Sequence, residues 1–186
     1  MVERGDIRAS ISLPCGRCVG CRLDYAASWE VRIMHEARCW EDNCVLTLTY
    51  DDEHLPSDGS LHYRRDFMPF MKRLRRRFQP RTIRFFCAGE YGDGLGRPHF
   101  HVCLFNFAFL QDRKPWAKKD EHQVWRSATL EQLWPFGNSD IHDLTPEFAN
   151  YVARYVVKKV TGDKADEHYR TVDKETGEIT WKVPEL

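Results

Sequence analysis

The 186-residue sequence has no net charge, because 28 lysines and arginines balance 28 aspartates and glutamates. Taken whole, that balance argues against a protein coated in positive charge for a polyanion, which leaves a basic footprint. No run approaches the roughly 20 apolar residues that a membrane-spanning helix needs. The start, Met1-Val2-Glu3-Arg4-Gly5-Asp6, has no basic stretch leading into an apolar one, so no secretory signal is expected. Internal repeats and low-complexity tracts are missing too, which excludes solenoids and tail-like segments. With 42% apolar and 30% charged residues, the composition is that of a folded domain and not of a disordered chain. Seven cysteines are present, an odd number without an export signal, and they read as thiols or metal ligands in a reducing compartment.

The zero net charge hides a polarised chain. Residues 64–97 hold ten basic residues against three acids, a net of +7, and the remainder carries −7. The basic residues Arg73, Arg75, Arg76, Arg77, Arg81, Arg84 and Arg97 therefore form a candidate electrostatic groove for DNA, joined by Arg154 further on. A solvated helix face paired with acids elsewhere is the competing explanation.

Periodicity gives a coarse map. Apolar and small residues at three- and four-residue spacing predict a helix from Arg17 to about Glu41. Cys44–Tyr50 reads as a buried strand. Residues 51–63 form a loop, and Arg64–Phe78 a helix with one apolar and one basic face. Arg81–Tyr91 and His99–Phe107 flank a glycine-rich turn and predict a β-hairpin. Residues 110–128 are polar and give no clear pattern. A short helix near Leu130–Trp134 and a strand at Asp140–Leu144 follow. Thr145-Pro146-Glu147 combines a capping hydroxyl, a first-turn proline and an acid, and starts a helix expected to reach Val160. A hairpin around Glu175–Glu178 is expected in the polar tail. The fold class is α+β, with a central antiparallel sheet of about five strands flanked by helices, one covered face fitting best. Residues 1–160 are expected to form one domain, with residues 10–44 as a cysteine-containing segment and helix within it, and 161–186 a polar tail.

Two constellations carry chemistry. His99-Phe100-His101 puts two imidazoles on one face of a strand, half of a divalent-metal site, and hairpin pairing can bring Glu90 beside them. Asp51, Asp52, Glu53 and Asp93 compete as third ligand. Tyr151 and Tyr155, four apart on a helix, point the same way, with Arg154 and Lys158 each three residues after a tyrosine. Each pattern alone has a structural explanation, a chance surface pair or core packing. Together they supply what DNA cleavage by transesterification needs: a metal to polarise phosphate, a phenol nucleophile and a nearby cation. Lysine at the third position after Tyr155 favours Tyr155 as the first nucleophile.

In these motifs the sequence resembles the HUH endonuclease superfamily, and more closely the replication initiators of the microviruses, particularly their gokushovirus branch. The residues carrying the resemblance are Pro14–Arg22 (PCGRCVGCR), Leu46–Tyr50 with Asp51–Pro56, Gly89-Glu90-Tyr91-Gly92, Arg97–His101 and Tyr151–Lys159. The resemblance implies a rolling-circle initiator that nicks and rejoins single-stranded DNA at an origin, a hairpin among the candidates, through 5′-phosphotyrosine. It implies catalytic Tyr155, Tyr151 and Lys158, a Mn²⁺ or Mg²⁺ cofactor at His99, His101 and Glu90, and host replication machinery as partner in the bacterial cytoplasm. Family members usually extend past the tyrosine helix, so the chain reads as a trimmed nuclease domain.

Cys15, Cys18 and Cys21 form a candidate structural zinc site, with Cys39, Cys44 or His35 as fourth ligand. Cys87 and Cys103 read as buried packing residues, and Tyr50, Tyr91 and Tyr169 as structural. His54, His62, His122, His142 and His168 read as exposed or locally bonded. Phe85, Phe86 and Phe105 either stack on bases or pack in the core. The rival function is a non-catalytic single-strand-binding module with a structural zinc site.

Overall fold

The structure is a computed structural model that describes residues 11, 13–92, 96–119, 121–155, 157–160, 162–172 and 176–185. Asp93, the N-terminal residues 1–10 and Glu175 lie outside the described residues, and with them the readings that rest on them. No described helix is long and apolar enough to cross a membrane.

Six antiparallel strands build the main sheet: β1 (Asn43–Thr49), β2 (Arg84–Tyr91), β3 (Pro98–Phe105), β4 (Lys114–Lys119), β5 (His122–Arg126) and β6 (Ser139–Asp143). Their order is β2-β3-β1-β6-β5-β4. The expected hairpin is β2–β3, with Glu90 opposite His99 and Ala88 opposite His101. β1 lies in the middle between β3 and β6. Residues 110–128, unreadable from periodicity, contain the β4–β5 hairpin, which raises the sheet from five strands to six.

Helices cover both faces, where cover on one face was expected. α2 (Met68–Arg77), preceded by a π-helical turn at Tyr63–Phe67, and α3 (Ala128–Leu133) pack with Trp134 against Leu46, Leu48, Phe100, Val102 and Leu104. On the other face α1 (Val19–Arg38) and α4 (Pro146–Tyr155) bring Ile33, Ala37, Ala149, Val152 and Ala153 against Val45, Ala88 and Cys103. The reason lies in the central strands. Cys44-Val45-Leu46 and Phe100 to Phe105 are buried at consecutive positions, so each face needs its own apolar cover.

Local signals set several boundaries. Cys18 caps α1, its thiol accepting from the Cys21 N–H. Thr145 Oγ1 accepts from the Phe148 N–H at 3.3 Å at the start of α4. α4 ends at Tyr155, short of the expected Val160, and the Lys158 N–H closes the following turn on the Tyr155 carbonyl at 3.0 Å. Gly137 has φ +148, and a Cβ there would lie 2.3 Å from the Asp51 nitrogen, so only glycine lets the start of β6 approach the end of β1. In the tail, α5 (Ala165–Tyr169) leads into a separate hairpin, β7 (Arg170–Val172) with β8 (Ile179–Trp181). This tail docks on the domain: the Tyr91 hydroxyl donates to the Val183 carbonyl at 2.6 Å, and the Val183 N–H to Ser60 Oγ at 3.1 Å.

Candidate metal centre and tyrosine cleft

The odd-numbered residues of β1 and β3, with Asp140 and His142 of β6, face α4 across a cleft of about 550 Å³. Its walls include Thr47, Thr49, His99, His101, Asp140 and Tyr151. Strand alternation puts His99 and His101 on this face together, and antiparallel pairing sets Glu90 beside them. Glu90 Oε2 lies 3.0 Å from His99 Nε2 and 3.1 Å from His101 Nε2. The other carboxylate oxygen, Oε1, accepts from Lys158 Nζ.

The donor set suits a divalent ion. His99 Nδ1 lies 3.1 Å from the Arg97 carbonyl, and His101 Nδ1 3.4 Å from Thr47 Oγ1. A proton held at Nδ1 by that carbonyl leaves the His99 Nε2 lone pair directed at the shared point. Burial pushes the His101 pKa down despite Glu90 beside it, which keeps the ring neutral and able to ligate. Burial works against the charge of Glu90, but hydrogen bonds from His101, His99 and Lys158 outweigh it and hold the carboxyl well below its usual range. Two imidazoles and one carboxylate are ligands that Mn²⁺ accepts readily. Of the competing acids, Asp51 bonds His54 and Asp52 bonds Arg97.

Both tyrosines reach this centre. The Tyr155 ring stacks on His101 at 4.6 Å between centroids and 10° between planes. Tyr151 meets the same imidazole edge-on at 5.3 Å and lies 4.9 Å from Tyr155. Their environments differ. Tyr155 is 6% exposed, and burial together with a hydrogen bond to Tyr151 raises its phenol pKa. Tyr151 is 46% exposed and lines the cleft. Lys158 was expected on the helix face below Tyr155; it sits in the turn after α4 and folds back, Nζ 4.7 Å above the Tyr155 ring.

Comparison with known proteins assigns the arrangement. A family model for replication-associated proteins of the ORF2 type matches residues 43–160, the segment that contains Glu90, both histidines and both tyrosines. The chain belongs to that family. Membership of the HUH superfamily, expected from His99-Phe100-His101 and the tyrosine helix, holds with it. Similar proteins include replication-associated protein VP4 of Bdellovibrio phage phiMH2K, 40% identical over 88% of this chain and 54% of the relative. Replication-associated protein ORF2 of Spiroplasma virus 4 is 38% identical over 80% of the chain and 49% of its own length. Replication-associated protein ORF4 of Chlamydia phage 1 is 37% identical, over 81% and 39% respectively. The chain thus spans about half the length of these curated relatives, or less. No solved structure matches it.

The arginine-rich segment does not lie where the charge count suggested. α2 packs on the sheet face opposite the histidines, so the +7 block does not abut them through that helix. Arg73 donates to the Leu133 carbonyl at 2.8 Å, Arg75 to the Ile83 carbonyl at 2.8 Å, and Arg77 to Gln132 at 3.0 Å. Arg81 pairs with Asp42, Arg84 with Glu36 at 2.9 Å, and Arg97 donates to the Tyr50 carbonyl at 2.9 Å. These guanidinium groups tie elements together; Arg76 and Arg154 are exposed.

The phenylalanines resolve as packing: Phe105 is buried, Phe86 packs on Trp29 at 5.0 Å, and Phe85 on Phe67 at 5.4 Å. Cys103 is buried and Cys87 packs against the core, and burial raises both thiol pKa values. His122, His142, Asp140 and Glu147 also line the cleft, which sequence reasoning missed. Pairing of Asp140 with Thr47 and of His142 with Val45 brings them there, and no local pattern reports a pairing between strands so far apart in the chain.

A second thiol centre sits at the start of α1. The Cys15, Cys18 and Cys21 sulfurs lie within 4.8 Å of one another, Cys15 and Cys21 3.8 Å apart. Cys15 Sγ accepts the Cys18 N–H at 3.3 Å, and Cys18 Sγ the Cys21 N–H at 3.5 Å. The backbone N–H groups of Cys18 and Arg17 pull the Cys15 pKa down to about 6. None of the expected fourth ligands reaches this centre. Cys39 and His35 belong to the other end of a 20-residue helix, about 20–30 Å away at 1.5 Å per residue, and Cys44 is buried in the core.

Proposed function

We propose that the chain is the nuclease part of a rolling-circle replication initiator, a metal-dependent enzyme that nicks and rejoins single-stranded DNA at an origin through two tyrosines. The observation that carries this reading is His101, whose one imidazole is at once a candidate metal ligand and the surface on which both Tyr151 and Tyr155 pack. A phosphate held at that point lies within reach of either phenol.

His99, His101 and Glu90 would hold Mn²⁺ or Mg²⁺, which when bound polarises the scissile phosphate and offsets charge on its oxygens. Tyr151, exposed in the cleft, attacks phosphorus; the bond to the 3′ oxygen breaks, and the strand's 5′ phosphate stays on the phenol. The freed 3′ hydroxyl then primes synthesis. Tyr155 is buried and its proton is held more tightly, so it acts second, on the regenerated origin, and the new 3′ end attacks the first phosphotyrosine to close a circle. Lys158, bonded to Glu90 and lying over the Tyr155 ring, orients the carboxylate and lowers the cost of forming that phenolate. The proposed partners are an origin strand and the host replication machinery, in the bacterial cytoplasm.

The test is a covalent complex. Incubated with candidate origin strands and Mn²⁺, the protein is expected to form an adduct that survives a denaturing gel. No adduct on any candidate strand, with binding unchanged by metal removal, instead supports a non-catalytic binding module.

We also infer that Cys15, Cys18 and Cys21 hold a structural Zn²⁺, with one position left for a ligand outside the cluster. Amide N–H groups aimed at sulfur favour thiolate over thiol, the form that ligates zinc. Cobalt substitution is expected to give a thiolate-to-metal charge-transfer band in wild type and in a His99→Ala/His101→Ala variant. That band should vanish in Cys15→Ser/Cys18→Ser; if it persists there, the ion is held elsewhere.

A further inference from the structure

The β4–β5 hairpin carries a feature that metal and tyrosine chemistry leaves unused. Lys114 pairs with Arg126 and Pro115 with Trp125, but the next pair is Ala117 with Val124, so Trp116 is the extra residue of a β-bulge on the outermost strand. A bulge re-aims the side chain it carries. Trp116 is 65% exposed. A large aromatic ring in that position costs free energy in water, and edge strands are ordinarily defended by charge.

The ring is held on one side only. The Arg126 guanidinium lies 4.6 Å from its centroid, and Arg126 Nε is anchored 3.3 Å from Asp140 Oδ1. Asp140 is a wall of the cleft, opposite Thr47, which in turn pairs with His101. Trp116 is thereby connected to the histidine centre by a continuous run of side chains across β6, β1 and β3. Lys114 and Lys118, both exposed, flank it two residues away on either side. An aromatic platform with one face backed by a cation, lysines on both sides and a line to a phosphate-handling centre fits a single-stranded polyanion with flat bases.

We propose that Trp116 is a stacking platform for one base of the single-stranded DNA bound in the cleft, with Lys114 and Lys118 meeting the adjoining phosphates. This rests on the nuclease reading for the identity of the strand, and it adds a positioning residue at the far edge of the sheet. Arg126 fixes the ring plane, and Asp140 fixes Arg126. The base is recognised by its π-face, so the contact sets affinity and register without reading sequence.

The test uses the full chain carrying Tyr151→Phe and Tyr155→Phe, so that no strand is cut, and a fluorescein-labelled oligo(dT) with one abasic residue walked along it. Anisotropy is expected to show one position at which the abasic residue weakens binding about tenfold, within the range a stacked base provides. Adding Trp116→Ala should weaken binding of the intact strand by about the same factor and abolish the effect of the abasic residue at that position. Trp116→Phe should retain most of the affinity. If the two losses multiply, if Trp116→Ala binds like its parent, or if the parent binds no oligo(dT), the platform is refuted. Adduct formation by protein with both tyrosines intact is scored separately. Its absence would strike the nuclease reading, whereas normal adducts with an unresponsive Trp116 would strike only the platform.

Discussion

His99→Ala with His101→Ala is expected to lower metal-dependent nicking by on the order of a thousandfold or more, the scale of several kcal/mol of phosphate polarisation. The variant should stay folded. His101 is buried, but its neighbours Glu90 and Lys158 still pair with each other, so no charge is left alone in the core. Titration of Mn²⁺ by electron paramagnetic resonance should show one bound ion in the parent that is lost in the variant, while far-ultraviolet circular dichroism is unchanged. Nicking that persists at parental rates in a folded variant would remove the histidines from the chemistry. Glu90→Gln should fall between the two, because an amide keeps the shape and loses the charge that draws a cation to the site.

The second large effect separates the tyrosines. Tyr151→Phe should remove the covalent complex to below detection, since the exposed phenol is the one a strand in the cleft meets first. Tyr155→Phe should still form the first adduct and should fail to release a closed circle. Sequence alone favoured the opposite order, on the ground that lysine follows Tyr155 at the third position. The fold reverses that preference: Lys158 reaches Glu90 as well as the Tyr155 ring, and Tyr155 is shielded by His101 and Tyr151. Gel analysis of both variants on one suicide substrate, with product circles scored separately, checks the order.

Much of the site was legible because short-range geometry decides it. Residues i and i+2 on a strand share a face, so His99 and His101 had to converge; a glycine-rich turn between two apolar runs had to bring Glu90 opposite them. The start of α4 was written in Thr145-Pro146-Glu147, and four-residue spacing fixed the shared direction of the tyrosines. The unreadable parts depend on pairings far apart in the chain. The β4–β5 hairpin has one solvated face and a bulge that breaks the two-residue alternation at Trp116, so its period is erased where it would be read. Cover on both sheet faces was written in the unbroken apolar runs of β1 and β3. The charge count placed ten cations in one segment, but a count has no direction. α2 turns its apolar side to the face opposite the histidines, and Arg73, Arg75 and Arg77 reach neighbouring carbonyl and amide groups.

The most direct test maps the phosphotyrosine. Trypsin cuts after Arg126, Arg154 and Lys158, so Tyr151 falls in the peptide 127–154 and Tyr155 in 155–158. Wild-type protein is trapped on a cleaved origin strand with Mn²⁺, digested with nuclease and trypsin, and read by mass spectrometry. The nucleotide remnant is expected on the peptide that contains Tyr151. A remnant on Tyr155 alone would contradict the order of attack, and a remnant on neither would contradict tyrosine-mediated cleavage itself.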